Sequence, residues 1–269
     1  MRQNVIHLQK FYSSPMGELA KTMVMRRLAP LWPSQDEDMS RLDVLGFGYC
    51  APYLMGFTPD VRKLILAMPR DQGAMVSRSR RGNISCLVDD DALPFPPASF
   101  DRVLIAHGLE DARHPQALLS ELWRVLKPEG QIVIIVPNRA GLWARSDASP
   151  FGAGRPYSRS QLASDLTAAK FTPAAWSGAL YGPPSEAFLG LAGGFERFGE
   201  TVWPRFSGLI LVQAIKRLYA NTNIGGGASA ARIPKFVGVA PVNAGLRKNV
   251  NAGLRKNVNA GLRKGEGGS

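Results

Sequence analysis

The sequence predicts an α/β domain built on a mostly parallel sheet with helices on both faces. Three observations predict it. The apolar run Leu42-Asp43-Val44-Leu45 ends in the turn Gly46-Phe47-Gly48-Tyr49-Cys50 and is followed by the apolar, Pro-containing segment 51–57. Strand, glycine turn and helix in that order present backbone N–H groups to a nucleotide-like ligand. Apolar or β-branched runs then recur at 41–46, 63–68, 84–88, 100–106 and 131–137, separated by segments able to cross over. The best of these crossovers is 115–126, where Leu118, Leu119, Leu122, Trp123, Val125 and Leu126 supply one apolar helical face. Strands and helices in that succession give a parallel sheet covered on both faces, with its ligand site at the carboxyl ends of the strands.

Taken in order, Pro15 to Leu28 reads as an amphipathic helix using Leu19, Met23 and Leu28, ended by Pro30 and Pro33. Its expected role is to close the sheet edge or the active site, and Arg26 and Arg27 leave membrane contact as the alternative. The glycine turn carries Cys50 where many such loops have a third Gly. Lys127-Pro128-Glu129-Gly130 is expected to stop the preceding helix and turn the chain into the next strand. Ser158-Arg159-Ser160-Gln161 has the S-x-x-Q form of a capping box, predicting a helix of about a dozen residues. A strand near 174–181, a helix near 185–198 and a last strand from 206 to about 218 complete the pattern. The expected organisation is an N-terminal helical extension over 1–40, one domain over 41–223 and a basic, disordered tail over 224–269 that opens with Gly225-Gly226-Gly227.

Composition sets the class. The chain has 269 residues, 45% apolar, enough for one full core. Residues 1–10 contain no apolar stretch of signal-peptide length, and Gly208 to Ile215 is too short to span a bilayer, so a cytoplasmic protein is expected. Two cysteines, Cys50 and Cys86, suggest neither a disulfide framework nor a zinc site. The net charge is +12. The tail repeats VNAGLRKN at 242–249 and 250–257 and VNAGLRKG at 258–265; its three Arg, three Lys and one Glu supply five of those charges. Such a tail would tether RNA, DNA or an anionic membrane electrostatically, but a duplication without function is the favoured reading.

The segment Leu87-Val88-Asp89-Asp90-Asp91-Ala92-Leu93-Pro94-Phe95, followed by Ser99-Phe100-Asp101 and by Arg124 to Gly130, resembles the class I S-adenosylmethionine-dependent methyltransferases of the small-molecule type. The resemblance covers about 41–139, with weaker support to about 220. It implies a Rossmann-like methyltransferase fold of seven strands, mostly parallel, with an antiparallel terminal strand, and S-adenosylmethionine as cofactor. It implies a cofactor site made by Leu45, Gly46, Gly48, Tyr49, Met68, Asp89, Asp90 and His107. Asp89 or Asp90 would accept from the adenine amino group. The strand over 63–68 has Met68 where a ribose-binding carboxylate is usual, leaving Asp71 or Gln72 to reach back, or water and backbone to hold the ribose.

Methyl transfer from a sulfonium is an in-line displacement in which the protein supplies alignment and sometimes a base. His107, after the strand over 100–106, is the candidate base; the competing reading makes it a pocket-lining residue. The Gly-, Pro- and aromatic-rich stretch 136–158 is the expected acceptor cover. Asn138, Arg139, Trp143, Arg155 and Tyr157, with Tyr181 from a later strand end, are the candidate acceptor-binding residues. The arginines offer guanidinium forks to an anion and the aromatics stack on a planar group; Arg145 lies in the same stretch. The expected activity is methylation of a small anionic or aromatic acceptor. Two alternatives are a non-catalytic binding module with a decayed site and a methyltransferase or binder acting on RNA through its basic tail. Ala106-His107-Gly108-Leu109 contains no amino-methylation motif of the Asn-Pro-Pro-Tyr kind, which speaks against RNA.

Overall fold

A computed structural model describes residues 3–32, 38–57, 61–79, 82–147, 149–185 and 203–218. The tail 224–269 and the helix expected at 185–198 lie outside the described residues, apart from Ser185. The described elements are α1 (Val5–Tyr12), α2 (Pro15–Leu28), β1 (Asp43–Gly48), α3 (Ala51–Phe57), β2 (Lys63–Pro69), the two-residue strands β3 (Arg78–Ser79) and β4 (Gly82–Asn83), β5 (Ser85–Val88), β6 (Phe100–Ala106), α4 (Pro115–Val125), β7 (Leu126–Pro137), α5 (Arg159–Ala168), β8 (Thr172–Ala179) and β9 (Leu209–Ile215). Seven strands form one sheet in the order β5-β2-β1-β6-β7-β9-β8. β1 pairs in parallel with β2 and β6, and β7 in parallel with β6. β9 runs antiparallel to both β7 and β8. The last of the described strands is therefore not at the edge: it inserts between β7 and β8.

Strand alternation sends successive side chains to opposite faces. Val44, Leu66, Met68, Leu104, Val133 and Leu211 join the core beneath α1, α2 and α3, whereas Leu45, Ala67, Val103, Ile105, Ile132 and Val212 join the core beneath α4 and α5. Leu118, Leu119, Leu122 and Val125 of α4 are completely buried, each worth about 1.5–3 kcal/mol of apolar burial. α2 begins with Ser14, whose hydroxyl accepts from Gly17 N, and Pro15 occupies the first turn. α1 was not legible in the sequence, because its eight residues are below the length at which periodicity is decisive.

Two expectations are refined. Lys127-Pro128-Glu129-Gly130 does follow the end of the helix at Val125 and turn the chain, as a bulge at the start of β7: Leu126 pairs with Phe100, Gln131 with Arg102, and Glu129 has φ 58°. Carbonyls at the end of α4 are satisfied by the residue that follows β9. Lys216 Nζ donates to Trp123 O at 2.7 Å and Leu126 O at 2.6 Å, supplying donors to carbonyls that a helix end leaves open. The capping box is half formed: Ser158 Oγ accepts from Gln161 N, but the Gln161 side chain turns to Arg139.

Of the residues that carry the resemblance, Leu93, Phe95, Asp101, Arg124 and Lys127 lie away from the glycine turn and are tied into the start of the strands. Arg124 donates to Leu93 O at 2.9 Å and Phe95 O at 2.8 Å and pairs with Glu121, which itself accepts from Leu93 N. Lys127 Nζ donates to Asp101 at 2.7 Å, and Asp101 accepts from Asp43 N at 2.8 Å.

Candidate active site at the carboxyl ends of the strands

The turn after β1 is built so that only glycine fits. Gly48 has φ 84°, and a Cβ there would lie 2.3 Å from Ala106 O and 2.9 Å from His107 O. A Cβ on Gly46 would meet Leu54, Cys50 and Leu66 within 2.9 Å. Cys50, in the third position, is fully buried and directs its thiol to Phe47 O at 3.2 Å and Leu104 O at 3.4 Å; burial pushes the thiol pKa up. It serves the fold beneath the turn as a small apolar residue.

At the ends of β2 and β5 lies a cleft of about 230 Å³ lined by Arg70, Asp71, Val88, Asp89, Asp90, Asp91, Arg113 and His114. Arg70 Nε is 3.0 Å from Asp89, and Arg113 donates to Asp71 at 2.7 Å. All four side chains are roughly half exposed or more. Met68 does not line this cleft. It is fully buried in the core under α1–α3, and the chain reaches the cleft only at Arg70 and Asp71. Leu45 is likewise buried in the core on the other face. Gln72 turns inward: its Nε2 donates to His107 O at 2.7 Å and its backbone carbonyl accepts from Val5 N. Of the two side chains offered as replacements for a ribose carboxylate, Asp71 is the one facing the cleft.

The third part is closed. His107 follows β6 at φ 52°, 3% exposed, in a backbone conformation uncommon outside glycine. Its Nε2 lies 2.8 Å from Tyr12 Oη, and Tyr12 Oη lies 2.6 Å from Tyr53 Oη. Its Nδ1 is 3.7 Å from Glu110 Oε1, while Glu110 Oε2 accepts from Gly108 N at 3.2 Å. The imidazole stacks on Phe151 with centroids 4.8 Å apart, and Phe151 meets Phe11 and Trp143 edge-on. Tyr49 packs 5.7 Å from Tyr12. Burial lowers the His107 pKa to about 3, so the ring is neutral at ordinary pH. Tyr12 is raised well above the usual phenol range by burial first, with Tyr53 and Glu110 adding to it.

The loop after β7 is tied to the fold. Asn138 donates to Ser207 O and Arg205 O and accepts from Ala140 N. Arg139 bonds Pro156 O and Gln161, and Arg155 donates to Ala112 O. Trp143 Nε1 donates to Gly182 O, Tyr157 is buried under α5, and Tyr181 lies against Gly178. Of this set, Trp143 alone joins the His107 rings, through Phe151. The arginines do not converge on a common point that would grip an anion. Tyr12, Tyr53, Glu110, Phe151, Arg70 and Arg113 are the residues sequence reasoning missed. Glu110 carried one usable signal, its position three residues after His107 on the same turn.

Comparison with known proteins bears on this geometry. Residues 46–134 match the family model described as a methyltransferase domain. They are a class I S-adenosylmethionine-dependent methyltransferase domain. The ubiquinone/menaquinone biosynthesis C-methyltransferase UbiE of Pseudomonas putida is 38% identical over 77 residues, which are 28% of this chain and 29% of that protein. The chain thus spans less than a third of the length of these curated relatives. The S-adenosylmethionine-dependent methyltransferase of Thermotoga maritima, described as a possible histamine N-methyltransferase, superposes with TM-score 0.59 at 15% identity, covering 79% of this chain and 96% of that one. A methyltransferase of Archaeoglobus fulgidus gives 0.52 at 19% identity, covering 78% and 98%. At such identities these structures establish the fold.

The methyltransferase class uses S-adenosylmethionine, and the described residues fit it. The cleft offers the carboxylates of Asp71, Asp89 and Asp90 to a ligand end rich in donors, whereas the space beside Gly48 is filled by the chain's own Ala106 and His107 carbonyls. Among the described residues, no group of acidic, His or Cys side chains has metal-site geometry, and no helix is long and apolar enough to cross a membrane.

Proposed function

We propose that this chain transfers a methyl group from S-adenosylmethionine to a small acceptor with an aromatic or apolar body. The observation that carries the reading is the open carboxylate-lined cleft at the carboxyl ends of β2 and β5 in a fold whose β6 ends in a buried, neutral histidine set among aromatic rings. When bound, the cofactor supplies an electrophilic methyl group on a sulfonium. The chain's residues do the rest. Asp89 and Asp90 accept from the adenine amino group, and Asp71, steadied by Arg113, takes the ribose hydroxyls. His107 and the surrounding rings exclude water from the reacting atoms. The anionic-acceptor reading is less favoured because Arg139 and Arg155 each anchor one guanidinium nitrogen to a separate part of the fold, at Pro156 O and Ala112 O, and neither lines the cleft. The acceptors named for relatives are properties of those proteins, and the short matched length carries none of them here.

Calorimetric titration of the purified chain with S-adenosylmethionine and with its demethylated product tests this reading. Saturable heat and a raised Tm are expected. No heat and no thermal shift at millimolar ligand overturn it and leave a non-catalytic methyltransferase-like module.

A further inference from the structure

The open cleft is small for the whole of the proposed cofactor. Its volume of about 230 Å³ falls below the roughly 300–1,000 Å³ of ordinary small-molecule sites. Its acceptors, the carboxylates of Asp71, Asp89 and Asp90, suit the amino and hydroxyl donors of a nucleoside. The rest of the ligand belongs at the neighbouring carboxyl ends of β1 and β6, where ligands of such sheets lie.

α1 lies across those strand ends. Its start borders the cleft. Val5 N donates to the carbonyl of Gln72, the residue after Asp71, at 2.8 Å, and Gln3 N donates to Asp111 at 3.3 Å. Its end covers the turn. Tyr12 packs on Tyr49, the residue after β1, and hydrogen-bonds His107, the residue after β6. Phe11 meets Phe151 edge-on. Next to Val5, one buried group has no partner. Gln72 is fully buried and spends its Nε2 on His107 O, but its Oε1 accepts no hydrogen bond. Buried acceptors are normally satisfied, so this oxygen is an acceptor in hand for a donor on a ligand.

We propose that α1 is a strap over the second part of the site. With α1 closed, the protein binds the nucleoside part alone. The amino-acid part of S-adenosylmethionine enters when α1 gives up its contacts from Val5 to Gln72 and from Tyr12 to His107, and its ammonium group then donates to Gln72 Oε1. The proposal rests on the methyl-transfer reading. A ligand shifts an element only by binding one arrangement better than the other. The groups that tell the two arrangements apart are those adenosine lacks, so adenosine leaves α1 in place and S-adenosylmethionine displaces it. Only Ser13 and Ser14 join α1 to α2, and a hinge of a few residues is enough for one short helix to move.

Hydrogen exchange of the full chain, read by mass spectrometry on peptides covering 3–12, tests the strap in the wild type. S-adenosylmethionine at saturation is expected to speed exchange of the α1 amides by about tenfold or more, and adenosine at saturation to leave them unchanged. Unchanged or slowed exchange with bound S-adenosylmethionine, or equal acceleration by adenosine, overturns the proposal. A lock gives the second measurement. A Cβ on Gly73 would lie 3.4 Å from Val5 Cγ1, so Val5→Cys with Gly73→Cys brings two thiols within reach of a disulfide. Calorimetry on the reduced double variant should show S-adenosylmethionine binding at least about tenfold tighter than adenosine. The oxidised form should bind the two within about twofold of each other, with reductant restoring the preference. A preference that survives oxidation overturns the strap and leaves the cofactor reading standing. If the wild type binds neither ligand, the cofactor reading fails and the strap fails with it.

Discussion

The two sides of the glycine turn are built in opposite ways. On the side of β2 and β5, charged residues stand in water around an open cleft, paired as Arg70–Asp89 and Arg113–Asp71. On the side of β6, Tyr12, Tyr53, His107 and Phe151 are buried against one another, and the histidine is neutral. Solvent-exposed ion pairs contribute little to stability and exchange partners readily, so the open side can release its carboxylates to a ligand. The closed side holds its groups by packing and by hydrogen bonds that have no water to replace them, so any change there is felt by the fold. The difference separates affinity from stability: binding should live in the cleft, and folding should live in the aromatic cluster.

The sharpest way to break this contrast is Phe151→Ala. It removes a buried ring that touches Phe11, His107 and Trp143, and should cost about 4 kcal/mol in denaturant unfolding. A loss below about 1 kcal/mol would mean that the closed side is not packed as described.

Acid should expose the same side. The His107 pKa is depressed to about 3 in the fold against an ordinary 6.5, so the unfolded chain binds the proton first. Its stabilisation is complete above about pH 6.5 and falls as pH drops toward 3, with a loss of about 3 kcal/mol by pH 4. Tyr12, Tyr53 and Glu110 face the ring, and the tyrosines do not titrate in that range. Urea midpoints measured from pH 7 to pH 4 should fall steeply in the wild type and less steeply in His107→Gln; equal slopes would refute this account.

The open side should answer in binding alone. Asp89→Asn keeps the shape of the side chain and removes its charge, and is expected to weaken S-adenosylmethionine by about tenfold, near 1.4 kcal/mol, with Tm unchanged. If Asp89→Asn leaves calorimetric affinity intact, the adenine contact belongs to Asp90. The smallest effect is expected from Arg113→Ala, whose pair with Asp71 is exposed and should shift unfolding free energy by less than about 0.5 kcal/mol. A larger shift would show that the cleft walls carry structural load after all.

Much of this molecule was legible in one dimension. The strand runs, α2, α4 and α5 were read from period and caps, and each of the seven strands of the sheet falls on an expected run, whereas their spatial order β5-β2-β1-β6-β7-β9-β8 had no local signal. The motifs behind the resemblance were legible for a reason the structure supplies. Arg124, Leu93, Phe95, Asp101 and Lys127 bind one another's backbone and charges, so their spacing along the chain is fixed by the fold itself. They secure the sheet far from the ligand side, and this is why they announce the architecture and say nothing of the acceptor.

The sequence by itself determined the α/β class, the glycine turn and the carboxylates of Asp89 and Asp90, because each is a local pattern of period, φ requirement or strand end. Only the tertiary structure decided what meets His107. Tyr12, Tyr53 and Phe151 come from three separate elements, and Met68 gives way to Asp71 because strand alternation points one side chain into the core and the chain's exit from β2 carries the other to the cleft. Contacts between groups this distant in the chain have no spacing to read. They exist only once loop closure has brought α1 back across the sheet.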